Sequence, residues 1–274
     1  MEDLLQEITY NNIYVRHAID YEPNDKFFSM HIHDRCEILC FISGDAECLA
    51  EGSKYPLECG SLLIMRPAES HRVKILSSRR YERYTVNFPL SAADIIDPQR
   101  ALMEPFLDRP LGIGNLYLPS EFDKEPMENY FRQIYSCTDK YISELETQLC
   151  LFAILDSVRK AYLKREAYEY VPAATLSGQI LAYINEHIFE ELSVASLANR
   201  FFISQSQFNR IFKKSTGTSP WEYITLKRLT SAKEKISRGV SVTKACAECG
   251  FGDYSAFYRA YMKHFGRSPK NDNC

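Results

Sequence analysis

Residues 207–220, QFNRIFKKSTGTSP, return 49 residues later as 256–269, AFYRAYMKHFGRSP. This shift superposes Phe208-x-Arg210-x-Phe212 on Phe257-x-Arg259-x-Tyr261, Lys214 on Lys263, Gly217 on Gly266 and Ser219-Pro220 on Ser268-Pro269. It also sets Phe202 on Phe251 and Leu197-Ala198 on Cys246-Ala247. Self-similarity at a fixed period marks one supersecondary unit used twice. Each copy reads as a short helix, a tight turn, a second helix and a Gly-x-Ser-Pro stop. Ser204 is placed to cap the second helix of the first copy, and Asp253 that of the second.

Charge separates this region from the rest of the chain. Of 274 residues with a formal net charge of -3, residues 1–174 hold 19 Lys+Arg against 28 Asp+Glu, net -9, and residues 175–274 hold 14 against 8, net +6. A basic C-terminal part beside an acidic N-terminal one directs any polyanion to the repeat. The length suits two domains, and a 45% hydrophobic, 25% charged composition is that of a folded globular chain, which excludes wholesale disorder and coiled-coil architecture. No apolar run approaches the roughly 18 residues of a membrane span. Met1-Glu2-Asp3-Leu4 lacks the basic start and apolar core of a signal peptide, so a cytoplasmic location with no membrane partner is expected. Nine cysteines, an odd number without paired spacing, read as reduced thiols.

Within the first copy, Phe208, Ile211 and Phe212 form an apolar face, while Ser206, Asn209, Arg210 and Lys213 recur at i, i+3, i+4 and i+7 on another. A B-DNA major groove admits such a helix. Arg bonds guanine bidentately, Asn bonds adenine, and Lys213 and Lys214 can neutralise phosphate. The corresponding face of the second copy is Ser255, Tyr258, Arg259 and Met262, with Tyr254, Lys263 and His264 at its edges; carrying a single charge, it is expected to read fewer bases. A lone Arg on an exposed helix face is more simply a solvated one, but a second polar-faced helix at the same place in a basic repeat favours DNA.

Ile180 to Pro269 resembles the DNA-binding domain of AraC/XylS-type bacterial transcription regulators, through Leu197-Ala198, Phe208-Asn209-Arg210-Ile211-Phe212-Lys213-Lys214, Gly250-Phe251-Gly252-Asp253-Tyr254-Ser255 and Phe265-Gly266-Arg267-Ser268-Pro269. The resemblance covers about a third of the chain. It implies base contacts from Ser206, Asn209 and Arg210 in the first copy and from Tyr254, Ser255, Tyr258 and Arg259 in the second. The family's basic aromatic tail after Ser-Pro is replaced here by Lys270-Asn271-Asp272-Asn273-Cys274, so tail contacts to DNA are not implied.

The N-terminal half reads as β-prone runs at Phe27–Met30, Glu37–Ile42, Ser61–Met65 and Tyr84–Phe88, punctuated by Ser43-Gly44-Asp45, Glu51-Gly52-Ser53 and Cys59-Gly60-Ser61, the spacing of an antiparallel barrel or sandwich. From about Lys124 the period becomes helical, with Leu145, Leu149, Phe152 and Leu155 on a stripe that needs a partner, either the β unit or the same helix of a second copy. His31-x-His33-x3-Glu37-x6-Gly44, then Gly60 and Pro67-x3-His71, is similar to the cupin signature, more loosely in its second part. Alternation places His31, His33 and Glu37 on one side of one strand, with His71 opposite. Three imidazoles and a carboxylate can bind a divalent metal, contact a polar ligand without metal, or fill the core. Cys246-x2-Cys249 has no second ligand pair and reads as packing. Phosphate loops and nucleophile elbows are absent from the sequence.

The expected architecture is α+β and two-domain: a cupin-like β-barrel with accessory helices at 1–165, a linker at 166–177, and an all-α domain with two helix-turn-helix motifs at 178–274. The expected function is a ligand-responsive, sequence-specific regulator of sugar or small-metabolite genes, with no cofactor; the alternative is a metal-dependent cupin enzyme fused to a DNA-binding module. Its site residues are Ser206, Asn209, Arg210, Lys213, Lys214, Tyr254, Ser255, Tyr258, Arg259 and Lys263 for DNA. For the effector they are His31, His33, Glu37 and His71, the same four serving as ligands in the metal alternative. The resemblance further implies promoter DNA, a small effector such as a carbohydrate, RNA polymerase and a second copy of the chain as partners.

Overall fold

A computed structural model describes residues 4–122, 126–136, 139–165 and 175–272. Contacts divide the chain into two units, Met1–Ser29 with Arg35–Tyr170, and Met30–Asp34 with Val171–Cys274. The linker expected at 166–177 falls mostly outside the described residues; its last three residues already belong to a capped helix start, with Thr175 accepting a hydrogen bond from the Gly178 N–H.

The first unit is built on β1 (Leu4–Tyr10), β2 (Ile13–Asp20), β3 (Cys36–Ser43), β4 (Ala46–Ala50), β5 (Ser53–Pro56), β6 (Leu62–Met65), β7 (His71–Ile75) and β8 (Tyr81–Phe88), followed by α1 (Glu104–Leu107), β9 (Leu116–Tyr117), α2 (Glu128–Ser136) and α3 (Lys140–Lys164). One antiparallel sheet runs β1-β2-β8-β3-β6-β9 and a smaller one β5-β4-β7. Strand β3, CEILCFIS, explains the layering. Leu39 and Phe41 face the cluster between the sheets, with Cys48, Leu63, Met65 and Tyr81. Ile38 and Cys40, on the other face, join the cluster covered by Phe131 and Ile134 of α2 and Leu151, Ile154, Leu155 and Val158 of α3. A strand buried on both faces reads as a continuous apolar run, which is why its sequence does not alternate.

The expected strand at Phe27–Met30 is not formed. Asn24 accepts a hydrogen bond from the Lys26 N–H and starts a 3-10 turn over Asp25–Phe27 instead. Such side-chain to backbone bonds compete locally with strand pairing. The stripe on α3 also divides: Leu155 is buried and Phe152 packs half-buried against the same cluster, while Leu145 and Leu149 remain exposed.

The second unit is helical: α4 (Leu176–Glu186), α5 (Val194–Arg200), α6 (Gln205–Thr216), α7 (Pro220–Ser237), α8 (Val242–Glu248) and α9 (Tyr254–Phe265). It holds two apolar clusters. The first gathers Ile180, Leu181 and Ile184 of α4, Leu197 and Ala198 of α5, Phe208 and Phe212 of α6, and Tyr223 and Ile224 of α7, with Ile32 packed against it. The second gathers Leu229, Ala232 and Ile236 of α7 with Ala245, Cys246, Cys249, Phe257 and Tyr261. Long α7, opened by a Ser219–Glu222 capping box with Pro220 in its first turn, is the shared wall of both. Cys246 and Cys249 are buried packing residues. Among the described residues no helix is long and apolar enough to cross a membrane.

Candidate functional site

Helix α6 begins where Ser204 accepts from the Gln207 N–H at 3.2 Å and ends at Gly217, whose φ of 75° gives the left-handed cap. Helix α9 is built alike: Asp253 accepts from the Ser255 and Ala256 N–H groups at 3.0 and 2.9 Å, and Gly266 at φ 67° closes it. Each helix is fixed by two fully buried aromatics, Phe208 and Phe212 in α6 and Phe257 and Tyr261 in α9, every one contributing about 1.5–3 kcal/mol of burial.

Anchoring those rings turns the polar faces outward. Ser206, Asn209, Arg210, Lys213 and Lys214 of α6 are exposed, as are Tyr254, Ser255, Tyr258, Arg259, Met262 and Lys263 of α9. Among the described residues no hydrogen bond or ion pair within the chain engages Asn209, Arg210 or Arg259. Lys213 and Lys214 occupy the last turn of α6, and Lys263 and His264 that of α9. Partial burial, reinforced by Lys263, lowers the pKa of His264. The result is two helices that each offer hydrogen-bonding tips on one face and cations at one end, the chemistry a major groove and its phosphates accept.

The two copies are not in one register throughout. The first helices are capped by Ser193 and Ser241, and the turn bonds Ile203 N–H to Ala198 O and Phe251 N–H to Cys246 O correspond, all 48 apart. The second helices, capped by Ser204 and Asp253, are 49 apart. Leu197-Ala198 therefore matches Ala245-Cys246, and the extra residue of the second turn is Gly252. Phe202, not matched to Phe251, occupies the left-handed position (φ 54°) that Gly250 (φ 76°) fills in the second copy, with its ring 95% exposed.

In the β unit the expectation that one strand carries His31, His33 and Glu37 fails, because β3 starts only at Cys36. Glu37 lies on β3, and His71 opens β7. His71 Nε2 is 3.7 Å from Glu37 Oε1, and its Nδ1 is 2.8 Å from the Glu69 carbonyl. Burial alone would lower the His71 pKa, but Glu37 and, after it, Glu69 together outweigh it and the net shift is upward. His31 and His33 stand on the 30–34 segment grouped with the helical unit, their rings 5.7 Å apart; Asp34 of that segment pairs with Lys233 at 2.6 Å.

Sequence reasoning missed other buried polar groups in the β unit. Arg83 pairs with Asp20, and its guanidinium lies 4.6 Å from the Tyr81 ring centroid. The Tyr81 hydroxyl is buried without a partner among the described residues. Burial pushes its pKa up. A polar step of two along β8, Tyr81 to Arg83, was the available signal. A cavity of about 580 Å3 also opens among the β3–β4, β5–β6 and β7–β8 connections, bordered by Phe41, Leu57, Glu58, Cys59, Arg79 and Arg80.

Paired helix-turn-helix units with outward polar faces, on one chain with a β unit that buries an acid–imidazole pair, define a DNA-binding transcription regulator with a ligand-binding domain. The chain belongs to the AraC family: the AraC-like ligand binding domain matches residues 12–149, half of the chain, and the family's helix-turn-helix domain matches residues 197–272. It is similar to the "Probable transcriptional regulator LumQ" of Photobacterium leiognathi, 38% identical over 88 residues that span 32% of this chain and 36% of that one. Over nearly full length it is similar to the HTH-type transcriptional activator RhaS of Citrobacter koseri, 26% identical over 285 residues, 94% and 96% of the two chains. A solved structure of ToxT from Vibrio cholerae aligns at 12% identity and a TM-score of 0.40, over 95% of this chain and 97% of that one.

Proposed function

We propose that the protein is a ligand-responsive, sequence-specific regulator that acts in the cytoplasm on small-metabolite genes, a carbohydrate being the effector class richest in the hydroxyls a buried polar set would bind. It is a regulator and not an enzyme. The observation that carries the reading is the pair of capped helices whose aromatic faces are buried while Asn209, Arg210 and Arg259 have no hydrogen-bond or ion-pair partner among the described residues. Arg210 and Asn209 read bases, with Ser206 beside them, and Lys213 and Lys214 hold phosphate. Tyr254, Ser255, Tyr258, Arg259 and Lys263 perform the second, less base-specific reading. Within the β unit, Glu37, His71 and the Tyr81 hydroxyl contact the effector. His31 and His33 are tested for the same role.

A second copy of the chain pairs through α3. Exposed Ile142, Leu145 and Leu149 and half-buried Phe152 are spaced 3, 4 and 3, a pattern that reads the same in reverse. Two antiparallel copies thus set Ile142 against Phe152 and Leu145 against Leu149, the a-to-d matching of a coiled-coil seam. Bound promoter is then presented to RNA polymerase.

The test is fluorescence anisotropy of the full chain on duplexes it selects from a random pool. Affinity should fall steeply between 50 and 200 mM salt, with a log–log slope of about -0.9 per phosphate neutralised. Arg210→Ala should cost about 1–3 kcal/mol on the selected sequence and relax one base pair, whereas Lys214→Ala weakens all sequences alike. A salt-independent affinity, or the reverse pattern in the two variants, refutes the assignment. A melting-temperature screen of metabolites, repeated on Glu37→Ala, His71→Ala, Tyr81→Phe and a His31/His33 double alanine variant, locates the effector; a shift lost only in Arg79→Ala moves it to the cavity at the sheet connections. Metal analysis of the purified protein separates the enzyme alternative, which requires bound metal.

A further inference from the structure

We infer that Arg228 is a positioning residue for DNA recognition, tying the loop that leads into the first helix-turn-helix to the turn of the second and so fixing the separation of α6 and α9. It sits on α7 between Ile224, the last residue α7 gives to the first apolar cluster, and Leu229, the first it gives to the second. Its side chain is buried, and the guanidinium spends its donors on backbone carbonyls from both halves: Nε to Ile188 O at 2.7 Å, Nη2 to Glu190 O at 2.6 Å, and Nη1 to Gly250 O at 2.7 Å. Among the described residues no carboxylate pairs with it. Ile188 and Glu190 belong to the connection from α4 to α5, and Gly250 to the turn between α8 and α9. The planar fork of Arg reaches three acceptors in fixed directions, which the point charge of Lys does not.

The junction it spans has no room for slack. A Cβ on Gly250 would stand 2.6 Å from the Phe189 carbonyl oxygen and 3.1 Å from the Arg228 Cζ, whereas one on Gly252, Gly239 or Gly266 would meet nothing within 4 Å. The two halves therefore meet backbone to backbone at this point, and Arg228 donates to the carbonyls on either side of Phe189 and to that of Gly250. Two readers entering successive major grooves must be held about 34 Å apart. The second contact adds affinity as an intramolecular event only while that geometry is maintained. Losing the tie should release the second reader and leave the first intact.

The experiment uses the full chain with Arg228→Met and Arg228→Lys. The probes are a two-groove duplex selected by the wild-type chain from a random pool, the same duplex with its second half scrambled, and versions with the halves moved one base pair closer or further apart. Arg228→Met should bind the two-groove duplex about tenfold more weakly, approaching the affinity of the scrambled one. Its affinity for the scrambled duplex should change less than about twofold, and it should discriminate less than wild type between the three spacings. Arg228→Lys, which keeps the charge and the packing of the stem, should fall between the two and show the same flattened spacing profile. If affinity for the scrambled duplex drops in step with that for the intact one, Arg228 serves folding alone and the inference is overturned; an unchanged spacing profile in Arg228→Lys overturns it equally.

Discussion

Breaking the buried Glu69–Arg109 pair should destabilise the β unit severely, and restoring neutrality should recover much of the loss. Both side chains are fully shielded from solvent. Glu69 accepts from Arg109 Nη1 and Nη2 at 2.8 and 2.6 Å, from the Gly112 N–H at 2.8 Å and from the Arg66 N–H at 3.0 Å. Arg109 also donates to the carbonyls of Pro105, Ile113 and Ile64. Burial would raise the Glu69 pKa, but the guanidinium reverses this and holds the carboxyl well below its ordinary range. Glu69→Ala would strand a cation and two backbone donors in the interior. Removing one partner of such a pair costs about 3–5 kcal/mol, against a domain stability of roughly 5–15 kcal/mol. A Glu69→Leu/Arg109→Met double variant, leaving no buried charge, should be at least about 1 kcal/mol more stable than Glu69→Ala. Urea unfolding of the full chain followed by near-ultraviolet dichroism measures both. Because the folded-state pKa of Glu69 is depressed, its contribution is present above the unfolded value of 4.5 and lost as pH falls through the folded one; wild type should lose more stability than Glu69→Gln on acidification below that value. A Glu69→Ala cost under about 1 kcal/mol, or a double variant no better than the single, refutes the reasoning.

His71 has its folded pKa raised above 6.5 by Glu37, so the stability it contributes is full below that value and lost as pH rises through the folded pKa; melting curves from pH 6 to 8 should decline more for wild type than for His71→Gln. Phe202→Gly should stabilise the helical unit by about 0.5–1 kcal/mol, since a left-handed non-glycine residue costs about 1–2 kcal/mol, glycine's unfolded freedom returns part of it, and the exposed ring buries nothing; a lower melting temperature would show that the ring packs. Leu149→Glu should shift the full chain from dimer to monomer in sedimentation at about 10 µM, a concentration typical of weak seams, and an unchanged mass would place the second copy elsewhere.

The helical unit was legible because its signals are local. Caps at Ser204 and Asp253 and stops at Gly217 and Gly266 each follow from a few adjacent residues, and the structure has all four. The turn register was misread because Phe202 and Phe251 share an identity but not a backbone position; conformation, not chemistry, sets the correspondence there. The placing of His31, His33 and Glu37 on one strand failed for a similar reason. Alternation holds only within a strand, and no strand continues from His31 to Glu37. The stripe on α3 merged two faces, because spacing alone does not tell Leu145, which is exposed, from Leu155, which is buried. Glu69 with Arg109 and Asp20 with Arg83 lie 40 and 63 residues apart, and such pairings depend on sheet order, which no local pattern encodes.

In the proposed regulator α6 and α9 read two successive major grooves. Hydroxyl-radical and guanine-methylation footprinting of the full chain on its selected duplex, with Arg210→Ala and Arg259→Ala in parallel, tests it directly. Two protected segments about 10 base pairs apart on one face of the duplex are expected. Arg210→Ala should lose guanine protection in one segment only and Arg259→Ala in the other. A single protected segment, or variants whose footprints match wild type, would contradict it.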